Sequence, residues 1–204
     1  MEGNSFNEQQ PDKSIRCGAY STCKYIIEYD QKSFQALSRQ LLTNYNAKGN
    51  LGQKTVLTNQ EIASGMYDLV ASQALAGYCD PYKMLLQINM YTQKTHKIMC
   101  NKDHEQWLKP DLISKLNIPA NNFNDFVEFK DPTYFDNLQP KLRVRTAELK
   151  MKSTAVYQSW HFVCELANGD VYDPGANFNQ PWNAYSREFP SVYKKWVDLI
   201  IEPT

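Results

Sequence analysis

The 204-residue chain has no net charge and no long apolar run, and each absence excludes a class of partner. Lys plus Arg and Asp plus Glu both number 22, so no basic excess favours nucleic acid or an anionic membrane surface. A membrane-spanning helix needs roughly 18 or more consecutive apolar residues, and the chain contains no such run. We therefore expect neither a nucleic-acid partner nor a membrane span.

The N-terminal stretch and the cysteine count both argue against a secreted, disulfide-bonded protein. Residues 1–13 are polar and lack the apolar core of a secretory signal peptide. The chain has five cysteines, an odd number that fits poorly with a disulfide framework. We expect reduced thiols and a cytoplasmic location, or export by a route that uses no such signal.

Composition and length are those of an ordinary globular protein with a sizeable core. Hydrophobic residues make up 42% and charged residues 22% of the sequence. Residues 1–13 are rich in Asn, Gln and Glu and predict a flexible N-terminal lead. We expect residues 14–204 to form a single domain.

Helical signals are concentrated in the first half of the chain. Cys17 to Tyr29 and Ser33 to Asn46 carry apolar residues at helical spacing. A capping-box pattern at Thr58 begins a third predicted helix, which we expect to end near Gly77. Asp80-Pro81 predicts the start of a fourth, with Asp as the N-cap and Pro in the first helical position.

Strand signals dominate the second half, with the exception of a helical stretch from Glu105 to Leu116 that Pro110 should break. Residues 117–140 are predicted to be irregular, and Asn177 to Pro190 a loop or short helix. The predicted strands, besides the hairpin described below, are His96–Cys100, Leu142–Leu149, Ser153–Tyr157 and Val197–Ile201. Helices followed by strands indicate an α+β fold, with a helical N-terminal part packed on a C-terminal antiparallel sheet.

A β-hairpin is predicted around Asn168-Gly169, with His161 on one arm and Asp173 on the other. A two-residue Asn168-Gly169 turn would place the two side chains on opposite faces. A three-residue Ala167-Asn168-Gly169 loop, with Gly169 in the left-handed conformation of a bulge, places both on one face. Aspartate can then orient the imidazole, although a strand-opening His and an Asp-Pro-Gly turn also occur for purely structural reasons.

A nucleophile that could complete this pair lies far upstream. Cys17 is predicted at the start of the first helix, where unpaired N–H groups and the helix dipole favour a thiolate. Gly18 would allow a substrate carbonyl to approach the backbone closely. Gln10 could supply a side-chain amide beside the Cys17 N–H as a second oxyanion donor, with Gln9 as the alternative.

These segments resemble papain-like cysteine peptidases, and most closely the branch related to the bacteriocin-processing peptidases. The sequence Cys17-Gly18-Ala19-Tyr20-Ser21, with a Gln shortly upstream, resembles the nucleophile segment of that branch. His161-Phe162-Val163 and Val171-Tyr172-Asp173-Pro174-Gly175 resemble its histidine strand and Asp-Pro element. Gly77 to Tyr82 is similar to its middle segment. Residues 101–157 are longer and more irregular than this branch would lead us to expect.

The resemblance implies a papain-like fold and a Cys17–His161–Asp173 triad that needs no cofactor. Cys17 would attack an amide carbonyl of a protein or peptide, and a thioester intermediate would follow. The leading hypothesis is a cysteine peptidase. A glutamine deamidase or a transglutaminase-like acyl transferase shares that intermediate, and a non-catalytic binding module could retain the fold. Trp160 could shield the His161 ring or line the substrate groove, or lie in the core.

The other thiols and imidazoles have simpler predicted roles. We expect Cys23 and Cys164 on core-facing surfaces, while Cys79, just before a helix N-cap, is a second thiolate candidate. Cys100 and His104 have a spacing that could bind a metal, but no second pair accompanies them, so we expect no metal site. His96 and His104 are predicted at the surface.

Overall fold

The computed structural model describes residues 6–11, 14–49, 52–149, 160–175, 178–181, 193–195 and 199–204. Within these ranges the helices are α1 (Cys17–Tyr29), α2 (Gln31–Ala47), α3 (Asn59–Val70), α4 (Pro81–Thr92), α5 (Glu105–Leu116), α6 (Phe123–Phe126) and α7 (Pro132–Asp136). The strands are β1 (His96–Asn101), β2 (Val127–Lys130), β3 (Arg143–Leu149), β4 (Trp160–Glu165), β5 (Asp170–Asp173), β6 (Phe178–Pro181), β7 (Tyr193–Lys195) and β8 (Leu199–Pro203).

The helix starts follow their capping signals. Thr58 and Glu61 form both bonds of the capping box at the start of α3. The Asp80 carboxylate accepts the Tyr82 N–H at 2.8 Å and the Lys83 N–H at 3.3 Å at the start of α4. The predicted end of α3 near Gly77 is wrong, because the backbone becomes extended immediately after Val70.

Two predictions for the middle of the chain are also wrong. Helix α5 continues through Pro110. Proline has no N–H, so the Gln106 carbonyl lacks its helical partner. Because both residues are exposed, solvent can hydrogen-bond that carbonyl. Residues 117–140 are not wholly irregular, since they include α6, β2 and α7. The α+β class is confirmed.

The strands form one sheet in the order β2-β1-β8-β3-β4-β5-β6, with β7 paired to β3. The sheet is mixed rather than antiparallel, because β2 pairs with β1 in parallel after the crossover through α5 and α6. The expected loop or short helix at residues 177–190 is wrong at Phe178–Pro181, which is strand β6 on the edge of β5. The predicted strand at residues 153–157 lies outside the described residues.

Helix α1 is the centre of the helical layer, with α2, α3, α4 and β4 packed around it. Its long buried side chains meet the sheet face that carries Phe162, Cys164 and Tyr172. The opposite face of the sheet holds a small apolar cluster and an ion-pair network. That network consists of Arg143, Arg145, Glu165 and Glu202, all nearly inaccessible to solvent. Among the described helices, none has the length and apolarity required to cross a membrane.

The hairpin between β4 and β5 adopts the register of a three-residue loop. The Gly169 N–H donates to the Leu166 carbonyl at 2.9 Å, and the Leu166 N–H donates to the Asp170 carbonyl at 2.8 Å. Gly169 has a φ of 88°, the left-handed conformation that the bulge requires. Cys164 therefore pairs with Tyr172, as the three-residue loop requires, and this prediction is confirmed.

The predicted flexible lead at residues 1–13 is wrong for residues 6–11, which are packed against the helices and the sheet. The Phe6 ring is fully buried between Tyr20, Phe34 and Tyr172, with centroid distances of 5.9–6.3 Å. Polar residues around it are also held, since the Gln10 N–H donates to the Pro174 carbonyl at 2.9 Å. An aromatic anchor that the polar composition conceals therefore fixes this segment.

Replacing the anchor tests the packing of residues 6–11. We expect Phe6→Ala to lower the free energy of unfolding by about 3–5 kcal/mol, the usual cost of emptying a buried aromatic site. Val56→Ala is the control, because Val56 is 72% exposed and its truncation should cost less than about 0.5 kcal/mol. Chemical denaturation measures both, and an equally small effect of the two substitutions would contradict the packed position of Phe6.

Candidate active site

Cys17 is the first residue of α1, and its thiol faces strand β4. The Phe162 N–H donates to Cys17 Sγ at 3.4 Å, a contact between residues 145 positions apart. The Cys17 side chain also hydrogen-bonds the His161 ring. Cys17 is 5% exposed, so the residue is largely buried.

His161 and Asp173 form the second contact of the site. The His161 Nε2–H donates to Asp173 Oδ1 at 2.7 Å, which leaves Nδ1 for the Cys17 thiol. The same carboxylate oxygen accepts the Gly175 N–H at 2.7 Å, in an Asx turn formed by Asp-Pro-Gly. Asp173 is 1% exposed, so this carboxylate is held by two donors inside the protein.

The surroundings of His161 favour its charged form. Burial alone would lower the pKa of His161, but the Asp173 charge, the Asp173 hydrogen bond and the Cys17 thiol act in the opposite direction. The net effect raises the pKa of His161 well above the ordinary histidine value. An imidazolium ring between a sulfur and a carboxylate is the arrangement that a thiolate nucleophile requires.

The two glutamine candidates for the oxyanion donor occupy different positions. Gln10 Nε2 donates to the Ser14 carbonyl at 3.3 Å and would lie 3.6 Å from a Cβ placed on Gly175. Its Oε1 is buried, and no hydrogen-bond partner is found for it within the described residues. Gln9 is exposed, and its amide donates to the Gly175 carbonyl at 3.4 Å. Gln10 is thus the glutamine beside the His161–Asp173 pair, and its amide retains a second N–H.

Gly18 lies where an added side chain would collide with its neighbours. A Cβ at Gly18 would lie 2.4 Å from the Cys79 Cβ and 2.9 Å from the Met84 sulfur. The missing side chain therefore permits close packing of α1 against Cys79 and α4, and the predicted approach of a substrate carbonyl to Gly18 stays a prediction. Trp160 begins β4, but its side chain lies outside the described residues.

Cys79, which precedes α4, packs against the N-terminus of α1. This is the helix end whose N–H groups are predicted to favour a thiolate at Cys17. The nearby Gly18 and Ala19 N–H groups act to lower the pKa of the Cys79 thiol, although the Ala19 N–H itself donates to the Arg16 carbonyl at 2.9 Å. The Cys79 S–H reaches the Ile15 carbonyl at 3.8 Å. Burial, together with the nearby Cys17, raises the pKa of Cys79. Cys79 is therefore a buried, neutral thiol packed against the start of α1, which argues against its role as a second thiolate.

The remaining thiols and imidazoles do not join the site. Cys23, Cys100 and Cys164 are fully buried in the core. His96 is also buried, contrary to the prediction, because its Nε2 meets the Tyr25 hydroxyl at 2.8 Å where β1 packs on α1. Within the described ranges, no cluster of three or more His, Cys, Asp or Glu could hold a metal ion.

Two groups of the site were missed by reasoning from the sequence. The Gly175 N–H is one, although the Asx-turn tendency of Asp-Pro-Gly is a signal that could have identified it. The Phe162 N–H is the other, and no local sequence signal indicates its contact with Cys17. No protein-family model, curated protein or solved structure matches the chain.

The electrostatics of the pair can be tested by NMR titration of the three histidines of the chain. We expect His161 to titrate above the ordinary value, and His96 below it, because burial lowers the pKa of His96. Asp173→Asn should shift the titration of His161 downward, since it removes the charge that raises its pKa. Asp170→Asn, on the same hairpin, is the control and should leave that titration unchanged.

The same pair predicts a pH dependence of stability. The folded-state pKa of His161 lies above the unfolded value of about 6.5, so the pair stabilises the fold below that value. This stabilisation is lost as the pH rises through the folded-state pKa. Asp173→Asn should therefore destabilise the protein most near about pH 6 and progressively less in alkaline solution. A cost that does not change with pH would contradict the ionic pairing of His161 and Asp173.

Proposed function

We propose that the chain is a thiol-dependent amide hydrolase with the chemistry of a cysteine peptidase. The observation that carries the proposal is the convergence of Cys17, His161 and Asp173, whose contacts are described above. A nucleophile at the start of a buried helix, a base on a strand and a carboxylate on the next strand also support a papain-like arrangement.

In the proposed reaction, Cys17 Sγ attacks the carbonyl carbon of an amide while His161 holds the thiol proton. The tetrahedral oxyanion accepts hydrogen bonds from the Cys17 N–H and from the Gln10 amide, each donor contributing on the order of 3 kcal/mol. His161 then delivers its proton to the leaving amine, and a thioester remains on Cys17. Water, activated by the neutral imidazole, hydrolyses the thioester and regenerates the thiol.

Asp173 positions the base throughout this cycle. Its hydrogen bond from Nε2–H directs Nδ1 at Cys17 and favours the imidazolium that forms when the thiol loses its proton. The Gly175 N–H holds the carboxylate in the required orientation. A Cβ at residue 175 would come within 3.3 Å of both Asp173 Oδ1 and His161 Cε1, so a side chain there would press on the pair.

Thiol labelling tests the proposed nucleophile. We expect iodoacetamide near neutral pH to modify Cys17 faster than Cys23, because Cys23 is fully buried and burial raises its pKa. His161→Ala should slow turnover of an unfolded protein substrate by about 10²–10⁴-fold. His104→Ala, which alters a half-buried histidine outside the site, should not. Labelling of Cys17 no faster than that of Cys23 would contradict the proposal.

The products of the same reaction separate the alternative acyl-transfer chemistries. New peptide ends indicate a peptidase. Ammonia release without chain cleavage indicates a glutamine deamidase, and incorporation of an added primary amine indicates an acyl transferase. A reactive Cys17 that yields none of these products, on proteins or on peptides, would instead favour a binding module.

The oxyanion assignment can be tested with two adjacent glutamines. We expect Gln10→Ala to lower kcat by about 10²-fold or more, because it removes one of the two donors. Gln9→Ala should have a much smaller effect, since its amide is exposed and donates to the Gly175 carbonyl. The two variants are matched, because each replaces a glutamine by alanine at adjacent positions in the chain. Equal losses of kcat would contradict a specific role for Gln10.

A further inference from the structure

Arg16, immediately before the proposed nucleophile, places its cation against α3 beside the start of α1. Its guanidinium carbon lies 5.0 Å above the Tyr67 ring, and Nη1 approaches Ser64 Oγ at 3.5 Å. No carboxylate of the described residues lies within 4.0 Å of it. Arginine has five N–H donors in a rigid fork, and a single long bond to a hydroxyl uses little of that capacity.

The guanidinium is held in place by Tyr67 and Ser64 of α3, beside the start of α1. The Tyr67 hydroxyl donates to the Gly77 carbonyl at 2.7 Å, which fixes the ring on which the guanidinium rests. Ile15 contacts Gly77 from the other side, with its Cδ1 3.0 Å from a Cβ at that position. The cation is therefore pre-organised, which lowers the entropic cost of binding a ligand.

The charge of Arg16 affects neighbouring groups. Burial raises the pKa of Tyr67 and of Tyr20, and the Arg16 charge opposes that rise in both residues. The charges of Glu8 and Asp68 also act on these tyrosines. The two Glu8 carboxylate oxygens accept the side-chain amides of Asn59 and Gln60 at 3.3 and 3.1 Å, and Asp68 pairs with Lys48 at 3.0 Å. The charge of Arg16 thus reaches Tyr20 on α1 and Tyr67 on α3.

We propose that Arg16 binds a carboxylate of the substrate next to the scissile amide, so that the preferred substrates are acidic peptides. The inference rests on the proposed function of Cys17. Adjacent Cα atoms are about 3.8 Å apart, and the Debye length is about 8 Å at physiological ionic strength, so a substrate bound at Cys17 lies within range of the charge. The planar fork also matches a carboxylate in a bidentate geometry. An acidic side chain and a free C-terminal carboxylate both supply this chemistry.

Paired alkylation reagents test the charge effect without a known substrate. Iodoacetate and iodoacetamide are similar in size and attack the same thiolate, but only iodoacetate is anionic. The ratio of their rates at Cys17, measured from adducts by mass spectrometry, therefore cancels any effect of Arg16 on the reactivity of the thiol. We expect Arg16→Gln to lower this ratio about fivefold at low salt, and Arg16→Lys to retain most of it.

Arg39→Gln is the matched control, because it removes the same charge from an exposed position on α2. It should leave the ratio at the wild-type value. A purely structural role of Arg16 on Tyr67 would change stability but not the ratio. An unchanged ratio in Arg16→Gln, with rapid labelling of Cys17, would overturn the inference alone. Slow labelling of Cys17 by both reagents in the wild type would overturn the proposed function and this inference together.

Synthetic peptides identify the source of the carboxylate. Randomised peptides are prepared as C-terminal acids and as C-terminal amides, and the products are analysed by mass spectrometry. Enrichment of Asp and Glu beside the modified bond in both sets indicates an acidic side chain, whereas turnover confined to the acids indicates the terminal carboxylate. Arg16→Gln should abolish either preference, and Arg16→Glu should favour Lys and Arg. Unchanged preferences in both variants would overturn the inference.

Discussion

The register of the β4–β5 hairpin determines which side chains can meet Cys17. Side chains alternate between the two faces of a strand, so a slip of one residue would turn His161 away and bring Phe162 out of the core. The left-handed backbone at Gly169 fixes the three-residue loop and with it the pairing of Cys164 with Tyr172. Core packing specifies the same register, because Phe162 and Cys164 are buried against the helical layer. The proposed base is therefore placed by a turn and a core that contain none of the reacting atoms.

The N-terminal segment adds a second constraint on the same hairpin. Phe6 anchors it in the aromatic core, and the backbone of Gln10 bonds to the Pro174 carbonyl beside the Asp173 turn. This places the Gln10 amide and the Gly175 N–H on one side of the His161–Asp173 pair. A segment with the composition of a disordered tail thus forms part of the wall of the site. The buried ring acts together with hydrogen bonds of Asn7, Glu8 and Gln10, because burial of a whole aromatic side chain is worth several kcal/mol but ordering each residue also has an entropic cost.

Signals that act over a few residues predicted the structure well. The Thr58 capping box, the Asp80-Pro81 helix start and the Gly169 bulge each depend on neighbours in the chain, and each is found in the structure. The features that were missed depend on contacts between distant segments. The burial of Phe6 and of His96, the parallel pairing of β1 with β2, and the packing of Gly18 on Cys79 could not be read from local patterns. The site combines local and long-range features. The placement of His161 and Asp173 on one hairpin could be predicted from local sequence, whereas the contact of the Phe162 N–H with Cys17 depends on the tertiary structure.

The position of Cys79 changes the physical account of how a thiolate at Cys17 would be supported. The first N–H groups of a helix are the usual hydrogen-bond donors for an anion at its N-terminus. In this protein the Cys79 sulfur, which is neutral and buried, lies beside the Gly18 and Ala19 N–H groups, and the Ala19 N–H donates to the Arg16 carbonyl at 2.9 Å. Cys17 Sγ instead contacts the Phe162 N–H and the His161 ring, both on β4. Direct hydrogen-bond support for the nucleophile therefore comes from the sheet, and the helix contributes through its dipole. Because Gly18 allows the Cys79 side chain to approach this closely, the glycine after the proposed nucleophile acts on the site through packing. A side chain at residue 18 would displace Cys79 from the start of α1.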